Sequence, residues 1–530
     1  MGMSLKRGAT AWLSATMAGA LMCSVATSAL AAPASANDTK LQTMQRQLDD
    51  MRAQLDAMRA AGQQPSPQLS AIQQQLDAMA AQLAEMKTSQ ETVNTDIATL
   101  KQAPAGTSVT VTLPNGKPTF ATADGRFTAN VRAILMMDAG KYFQDNDLGP
   151  AVVGRDLNEG VNFRRARIGF DGRLFQDFDY SFVYEFGGSG AEEAGRLYEA
   201  SVTYTALKPL RIKVGAFEPN VNLAAATSTS AMPILERPAP AEAARNVAAG
   251  DSRTAIQLSA AGVFGDDDTG IATRWFGATA FTGNTLGGTQ QFDEQTAWVA
   301  RAALAPYSGT TWQAHFGANY QYVIQPNDAV GPGVAGTRYP IQIRDRPELR
   351  LDGTRLVDAG AIDADHATVY GGEAAFGFGS FLVEGEYFKY KIERRNSALA
   401  NPHFNGWYAQ ASWVLTGETR PYDPVEARFG APRMNYNFNP KAGTWGAFEL
   451  AARYSVLDLN YREGLTGATP VGGVRGGEQK IWNVGVNWYW NPAMRMMLGY
   501  QHVEIDRLNA TGVQIGQTYD AVAARAQVAF

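Results

Sequence analysis

Three arginines fall within four residues, Arg164-Arg165-Ala166-Arg167, inside the run Val161 to Phe170. Guanidinium groups stay protonated at any physiological pH, so such a cluster suits no acid–base catalysis; it attracts and orients anions. If Ala166, Ile168 and Phe170 face an apolar medium, Arg165 and Arg167 face the opposite way. Arg164 then falls on the apolar side near a strand end, where its long stem reaches the interface. The same alternation sends Arg132, Arg211, Lys213, Arg301, Arg453, Arg495 and Arg525 to the polar side. A basic column inside a water-filled passage would attract anions and focus the field along it. The competing reading pairs these cations with Asp179, Glu185, Glu199, Glu384, Glu386 and Glu449, which point the same way and would tie the strands together.

Other reactive residue types form no constellation. The four histidines, His315, His366, His403 and His502, lie far apart without metal-ligand spacing. His315 is expected to line the polar interior. Asp266-Asp267-Asp268 and Asp145-Asn146-Asp147 read as solvated turns. No nucleophile elbow, phosphate loop or dinucleotide fingerprint appears, so no enzyme activity, metal or cofactor is expected. A net charge of −5 singles out no partner, and nothing suggests nucleic acid.

The elements that must position the arginines are strands. Phe178, Tyr180, Phe182, Tyr184 and Phe186 alternate with Asp179, Ser181, Val183 and Glu185. The same period of two recurs around Phe316, Trp407, Leu450, Val484 and Leu498, with Trp and Tyr at the ends of the apolar face. That is the pattern of a transmembrane β-barrel, in which alternate residues touch lipid and aromatics sit at the interfaces. The chain's last strand keeps it to the end: Val522, Ala524, Ala526, Val528 and Phe530 share one face, and Phe530 is read as the membrane-insertion terminus. Glycine is abundant (53 residues) and aromatics make up 10%, as turns and girdles require. The region 126–530 accommodates about sixteen strands at roughly 25 residues each with connections, and that many strands enclose an aqueous lumen. Fourteen or eighteen also fit. Long loops are expected at Gln144–Glu159, Glu218–Ser252, Gln325–His366, Gly417–Thr444 and Gly464–Gln479.

Two other segments precede the barrel. Residues 1–31, with Lys6, Arg7, an apolar run and Ala29-Leu30-Ala31, read as a secretory signal peptide. It contains the single cysteine, Cys23, so the exported chain would hold no disulfide. Over 38–102, Leu41, Leu48, Leu55, Leu69, Leu76 and Leu83 keep a heptad spacing, with Met44, Met51, Met58, Met79 and Met86 three residues on. This predicts a coiled coil in two parts, broken at 62–67, where Pro65 and Pro67 interrupt the helix. The alternative is a pair of amphipathic helices packed on their own chain. Residues 103–125, rich in proline and glycine, read as a linker with a short extended piece at Ser108–Leu113.

Arg164-Arg165-Ala166-Arg167-Ile168-Gly169, Phe178 to Glu185, Ile212 to Pro219, Glu236-Arg237-Pro238, Phe448 to Ser455 and Asn483 to Tyr489 resemble the phosphate-selective porin O and P family. The resemblance spans about Arg126 to Phe530 and leaves out the heptads. It implies a trimeric sixteen-stranded outer-membrane porin whose third loop forms a constriction reached by a ladder of arginines. By position that loop is Glu218–Ser252, carrying Glu218, Glu236, Arg237, Glu242, Arg245 and Asp251. One departure is visible. Phosphate-specific members resemble Gly-x-Phe-Lys there, whereas this chain has Phe217-Glu218 and no lysine between Lys213 and Lys389.

The sequence therefore predicts an all-β, outer-membrane barrel preceded by an α-helical coiled coil in the periplasm. It would pass small anionic or polar solutes, phosphate among them, by diffusion. The alternative is a structural protein tethering the envelope through its stalk, with a cell-wall or periplasmic partner. A homotrimer embedded in outer-membrane lipid is expected.

Overall fold

The computed structural model describes residues 34–60, 67–102, 108–145, 149, 152, 156–188, 195–265, 272–286, 293–309, 311–331, 333–396 and 398–530. The leader, Cys23, the joint at 61–66, Pro104, Gly106 and Asp266-Asp267-Asp268 lie outside the described residues, and of the other acidic run only Asp145 lies within them. The chain divides into two units, Met1–Thr107 and Ser108–Phe530.

In the first unit, α1 spans Ala34–Ala60 and α2 spans Pro67–Gln102. Pro67 opens α2, a position where its missing N–H would be an orphan in any case. Leu48 packs against Leu76, flanked by Met51, Met79 and Ala80. Seam residues of the two helices thus meet within one chain.

In the second unit, a hairpin of Val109–Thr112 and Thr119–Thr122 leads into a cylinder. Its strands are β1 (Thr128–Phe143), β2 (Gly160–Leu174), β3 (Phe178–Glu185), β4 (Arg196–Tyr204), β5 (Leu210–Phe217), β6 (Arg253–Phe264), β7 (Ala272–Thr285) and β8 (Thr296–Ser308). They continue as β9 (Trp312–Gln325), β10 (Ile362–Phe378), β11 (Phe381–Arg394), β12 (His403–Val414), β13 (Ala447–Tyr461), β14 (Val474–Asn491), β15 (Met494–Asp506) and β16 (Thr518–Ala529). Each pairs antiparallel with the next, and β16 returns to β1 from Asp520 opposite Phe143 to Ala529 opposite Ile134. The barrel is closed with sixteen strands, so no edge is left unpaired.

The alternation sets the faces. Phe182, Phe316, Trp407, Val484 and Leu498 are exposed on the outer wall, while Val183, His315, Tyr408, Asn483 and Met497 are buried inside. Phe530 finishes the closure: its amide donates to the Ala133 carbonyl at 3.0 Å, and the Ala133 amide donates back at 3.0 Å. Deleting Phe530 removes both bonds, each worth about 1 kcal/mol. We expect a smaller folded fraction on refolding into detergent, measured as the heat-modifiable band on an unheated gel.

The Arg164 assignment needs correction. Met136 pairs with Arg165 but Met137 pairs with Phe163, so β2 carries a bulge that leaves Arg164 out of the ladder. Val161 and Phe163 face out before it, and Ile168 and Phe170 after it. The extra residue turns both Arg164 and Arg165 inward, as bulges do. Arg164 is buried, not at the lipid interface.

Most connections on the end where β1 begins are short, such as Gly379–Ser380, where Gly379 has φ +56°. The opposite end carries the long ones, including the links β5–β6 and β9–β10. The link β12–β13 is the exception, a long segment on the short-turn end. All three fold into the lumen. Toward the long-loop end the interior facing β8–β16 is consequently solid: Ala243, Ala244, Ile343 and Leu349 from the loops pack on Phe388, Tyr390, Phe404, Ile481 and Val503 from the wall. Open space lies against β1–β7 and, at the short-turn end, beside the β8–β9 and β10–β11 turns.

Candidate functional site: a constricted lumen

The β5–β6 loop is built to lie inside the barrel. It holds two helices, α3 (Leu223–Ala226) and α4 (Ala239–Ala248). Asn222 caps α3, its Oδ1 accepting from the Ala225 amide at 2.7 Å. The Glu386 carboxylate on β11 accepts from the Leu223 and Ala224 amides at 2.9 and 3.0 Å, joining the wall to the helix start. The wall then donates to the loop's carbonyls one after another. Arg495 donates to Met232 at 2.8 Å, Asn487 to Pro233 at 2.8 Å, Tyr390 to Pro240 at 2.6 Å and Gln321 to Ala244 at 2.9 Å. A buried carbonyl without a donor would cost about 1–3 kcal/mol, so this row fixes the loop's path.

Charge fixes it further. Glu236 receives Arg164 Nε at 2.9 Å, Arg165 Nη2 at 3.2 Å and Arg525 Nη2 at 2.6 Å. Burial alone would raise the Glu236 carboxyl, but Arg164, Arg165 and Arg525 hold it well below the usual carboxylate range. Arg525 also grips Asp138 at 2.6 Å and the Leu235 carbonyl. Arg245 of α4 contacts Glu242 at 2.7 Å, Asp251 at 2.8 Å and Glu218 at 3.2 Å. Arg237 donates from Nε to Ala224 O at 3.0 Å and from Nη2 to Ala225 O at 3.2 Å.

The β9–β10 link supplies a second inward segment. Glu348 accepts from Ser455 at 2.6 Å and Asn483 at 2.8 Å and is paired with Arg453. Arg350 of the same segment reaches Glu242 at 3.1 Å, joining the two loops. The β12–β13 link reaches up from the other end. Arg301 Nη1 donates to Glu426 O at 3.1 Å, Glu426 receives Arg211 at 3.1 Å, and Arg428 donates to Ala226 O at 2.6 Å.

A cavity of about 490 Å³ opens at the short-turn end between Trp312, Phe381, Arg420 and Tyr422. Two smaller ones, of about 300 Å³ each, flank the β5–β6 loop. The one on the long-loop side is bordered by eleven arginines and five carboxylates, among them Arg164, Arg165, Arg196, Arg253, Arg344 and Arg350. The one on the short-turn side is bordered by Arg132, Arg211, Lys213, Glu199, Glu218 and Glu426. Arg167 and Arg237 border both, so the two cavities adjoin at these residues. Arg167 is held by Glu185 at 2.5 Å and lies 3.5 Å over the Tyr198 ring.

Each residue singled out from sequence now has a place. Arg132, Arg165, Arg167, Arg211 and Lys213 border the cavities, as do all six residues of the inner loop, Glu218, Glu236, Arg237, Glu242, Arg245 and Asp251. Arg301, Arg453, Arg495 and Arg525 face inward but are buried beneath the loops, each with a carboxylate or carbonyl partner. Of the acids weighed as partners, Glu185 and Glu199 pair with Arg167 and Lys213, and Glu449 pairs with Arg420. His315 does not line water: its ring bridges Tyr422 at 2.9 Å and Glu373 at 3.0 Å with no exposure. The β9–β10 cations Arg344, Arg346, Arg350 and Arg355 were not among the sequence candidates. The density of alternating charge in Arg344-Asp345-Arg346-Pro347-Glu348-Leu349-Arg350 was the available signal.

A closed sixteen-stranded barrel with an apolar outer wall, and a lumen narrowed by inward loops, defines an outer-membrane porin. This chain belongs to the phosphate-selective porin O and P family, whose sequence model matches residues 142–530. It is 26% identical over 434 residues to Porin O of Pseudomonas aeruginosa, covering 78% of this chain and 92% of that protein. It is 28% identical over 408 residues to an uncharacterized protein of Caulobacter vibrioides, covering 76% of this chain and 72% of the relative. Among solved structures, an anion-selective porin from Comamonas acidovorans aligns with a TM-score of 0.45 at 14% identity, over 76% of this chain and 100% of that one.

Proposed function

We propose that the protein is a trimeric, anion-preferring diffusion channel. The observation that carries this is the vestibule of eleven arginines against five carboxylates, with Arg167 and Arg237 shared with the cavity on the short-turn side. In a narrow aqueous path between low-dielectric walls, that excess raises the local anion concentration and repels cations. Concentration gradients supply the driving force. The lining offers arginine forks and a single lysine, Lys213; guanidinium forks match carboxylates and phosphates alike, so it suits small anions as a class rather than phosphate alone. Porin O belongs to a family whose name carries phosphate selectivity, and phosphate is one of the solutes this lumen would accept. The short-turn end of such barrels faces the periplasm, and we assign α1 and α2 to the periplasm as the segment that precedes an outer-membrane barrel. Purified protein in a planar bilayer tests the reading: stepwise conductance is expected, and its absence in correctly folded protein would reject a pore.

The vestibule should also respond to pH. Burial and the neighbouring Glu242 push the Asp345 carboxyl up to about 7, against the pull of Arg350. Below that value Asp345 is neutral and the vestibule gains net positive charge; above it the carboxylate offsets an arginine. Anion preference is therefore expected to rise as the pH falls from 8 to 6. Asp345→Asn should hold the low-pH selectivity throughout, read as a reversal potential independent of pH.

A further inference from the structure

On the outer wall the alternation that marks lipid contact reverses toward the long-loop end. Along β11, Phe388, Tyr390 and Ile392 point inward and are fully buried, while Lys389 and Lys391 point outward. The reversal begins one step above a row of outward aromatics. Tyr387 lies opposite Trp407, Trp407 meets Tyr454 at 5.6 Å, and Tyr454 meets Trp482 at 4.4 Å between ring centroids. Such a row marks the level where hydrocarbon gives way to headgroups. The residues just above it face the headgroup layer.

Four basic residues gather at that level. Lys391 lies directly across from His403, and Lys389 across from Asn405, all on the outer face. The His403 ring packs on Tyr461 at 4.9 Å, and Arg462 sits over the far side of the patch, 5.3 Å from the Tyr461 ring. The charged neighbours of His403 are Lys389, Lys391 and Arg462, all cations. The carboxylates beside the patch are Asp458, opposite Asn405, Glu463, next to Arg462, and Glu478, opposite Asp458 and paired with Lys480 at 2.7 Å. Glu393, next up β11, is engaged by Asn401. These are the first lysines after Lys213 in the chain. Clustered cations at a headgroup level, backed by aromatic rings, suit a phosphorylated lipid.

We propose that Lys389, Lys391, His403 and Arg462 form a binding site on the outer wall for the phosphate groups of a bisphosphorylated outer-leaflet glycolipid. The inference rests on the porin reading for its orientation, since the long-loop end faces outward. The rings of Tyr370 and Tyr461 flank the sugar-phosphate layer, Lys391 Nζ lying 5.3 Å from the Tyr370 ring. The acyl chains lie along the apolar band below.

Native mass spectrometry of the full-length protein in detergent tests it, with bisphosphorylated lipid A as the probe. Wild type is expected to retain the lipid, and Lys389→Gln/Lys391→Gln/Arg462→Gln to bind it at least tenfold more weakly. Enzymatic removal of the lipid's phosphates should weaken wild-type binding to the same degree. Arg462→Gln alone, outside the strands, serves if the triple variant fails to fold, with a several-fold loss expected. Equal retention by the variants would overturn the site, as would equal binding of the dephosphorylated lipid. A shift in oligomeric state without loss of lipid would also overturn it, by making the patch a subunit contact. Conductance should be unchanged in the variants, so a failure here leaves the pore untouched.

Discussion

Arg525→Leu is expected to widen the pore and to destabilise the barrel. Arg525 is fully buried on β16 and holds Asp138 of β1 at 2.6 Å, Glu236 of the inner loop at 2.6 Å, and the Leu235 carbonyl. Leucine fills part of the volume but leaves two buried carboxylates short of a partner. Removing one member of a buried pair typically costs about 3–5 kcal/mol. Glu236 would retain Arg164 and Arg165, yet its tie to the closing strand would be gone. The cheapest relaxation is for the segment around Leu235–Glu236 to leave the wall and take up water. Single-channel conductance should rise, the open level should become noisy, and the folded band should convert at a lower temperature. Unchanged conductance with a lowered melting temperature would mean that the loop is held by its carbonyl anchors alone.

The second large effect is on charge. Arg253 and Arg344 border the outer vestibule, and neither sits in the Glu236 cluster. Reversing both, with Arg253→Glu and Arg344→Glu, changes the local charge by four units. A unit charge about 7 Å from an ion in water contributes about 0.6 kcal/mol, and screening at 0.1 M roughly halves it. Four units therefore shift an anion by about 1.2 kcal/mol and a cation by as much in the opposite sense. The anion-to-cation permeability ratio should fall more than tenfold. A double variant that keeps wild-type selectivity would show that these arginines are neutralised locally.

The wall was readable from residues because it obeys a period of two imposed by lipid on one side and water on the other. Phe182, Trp407 and Leu498 outward, Glu185, Gln410 and Arg525 inward, follow from that rule. Arg164 escaped it because one inserted residue breaks the period, and a bulge has no signature in a single arginine triplet. The fate of the inward arginines was harder to read. Alternation gives a direction, but whether Arg301 meets water or Glu373 depends on what fills the lumen. Loop segments lack periodicity, so the entry of Glu348 and Glu426 into the barrel was illegible, although both lie in long connections expected from spacing. The apolar inner residues Phe388, Phe404 and Ile481 are the trace those loops leave in the strands. An inward face that turns apolar needs a covering segment. The heptads of Leu48 and Leu76 gave the helices, while heptad spacing alone does not tell a seam filled within one chain from one filled between chains.

A reversal potential under a potassium chloride gradient tests the central claim most directly. With the purified full-length protein in a neutral-lipid bilayer, the zero-current potential is expected to take the sign set by chloride, and to move toward zero in Arg253→Glu/Arg344→Glu. A wild-type potential of the sign set by potassium would contradict the assignment of the arginine vestibule as the selectivity element.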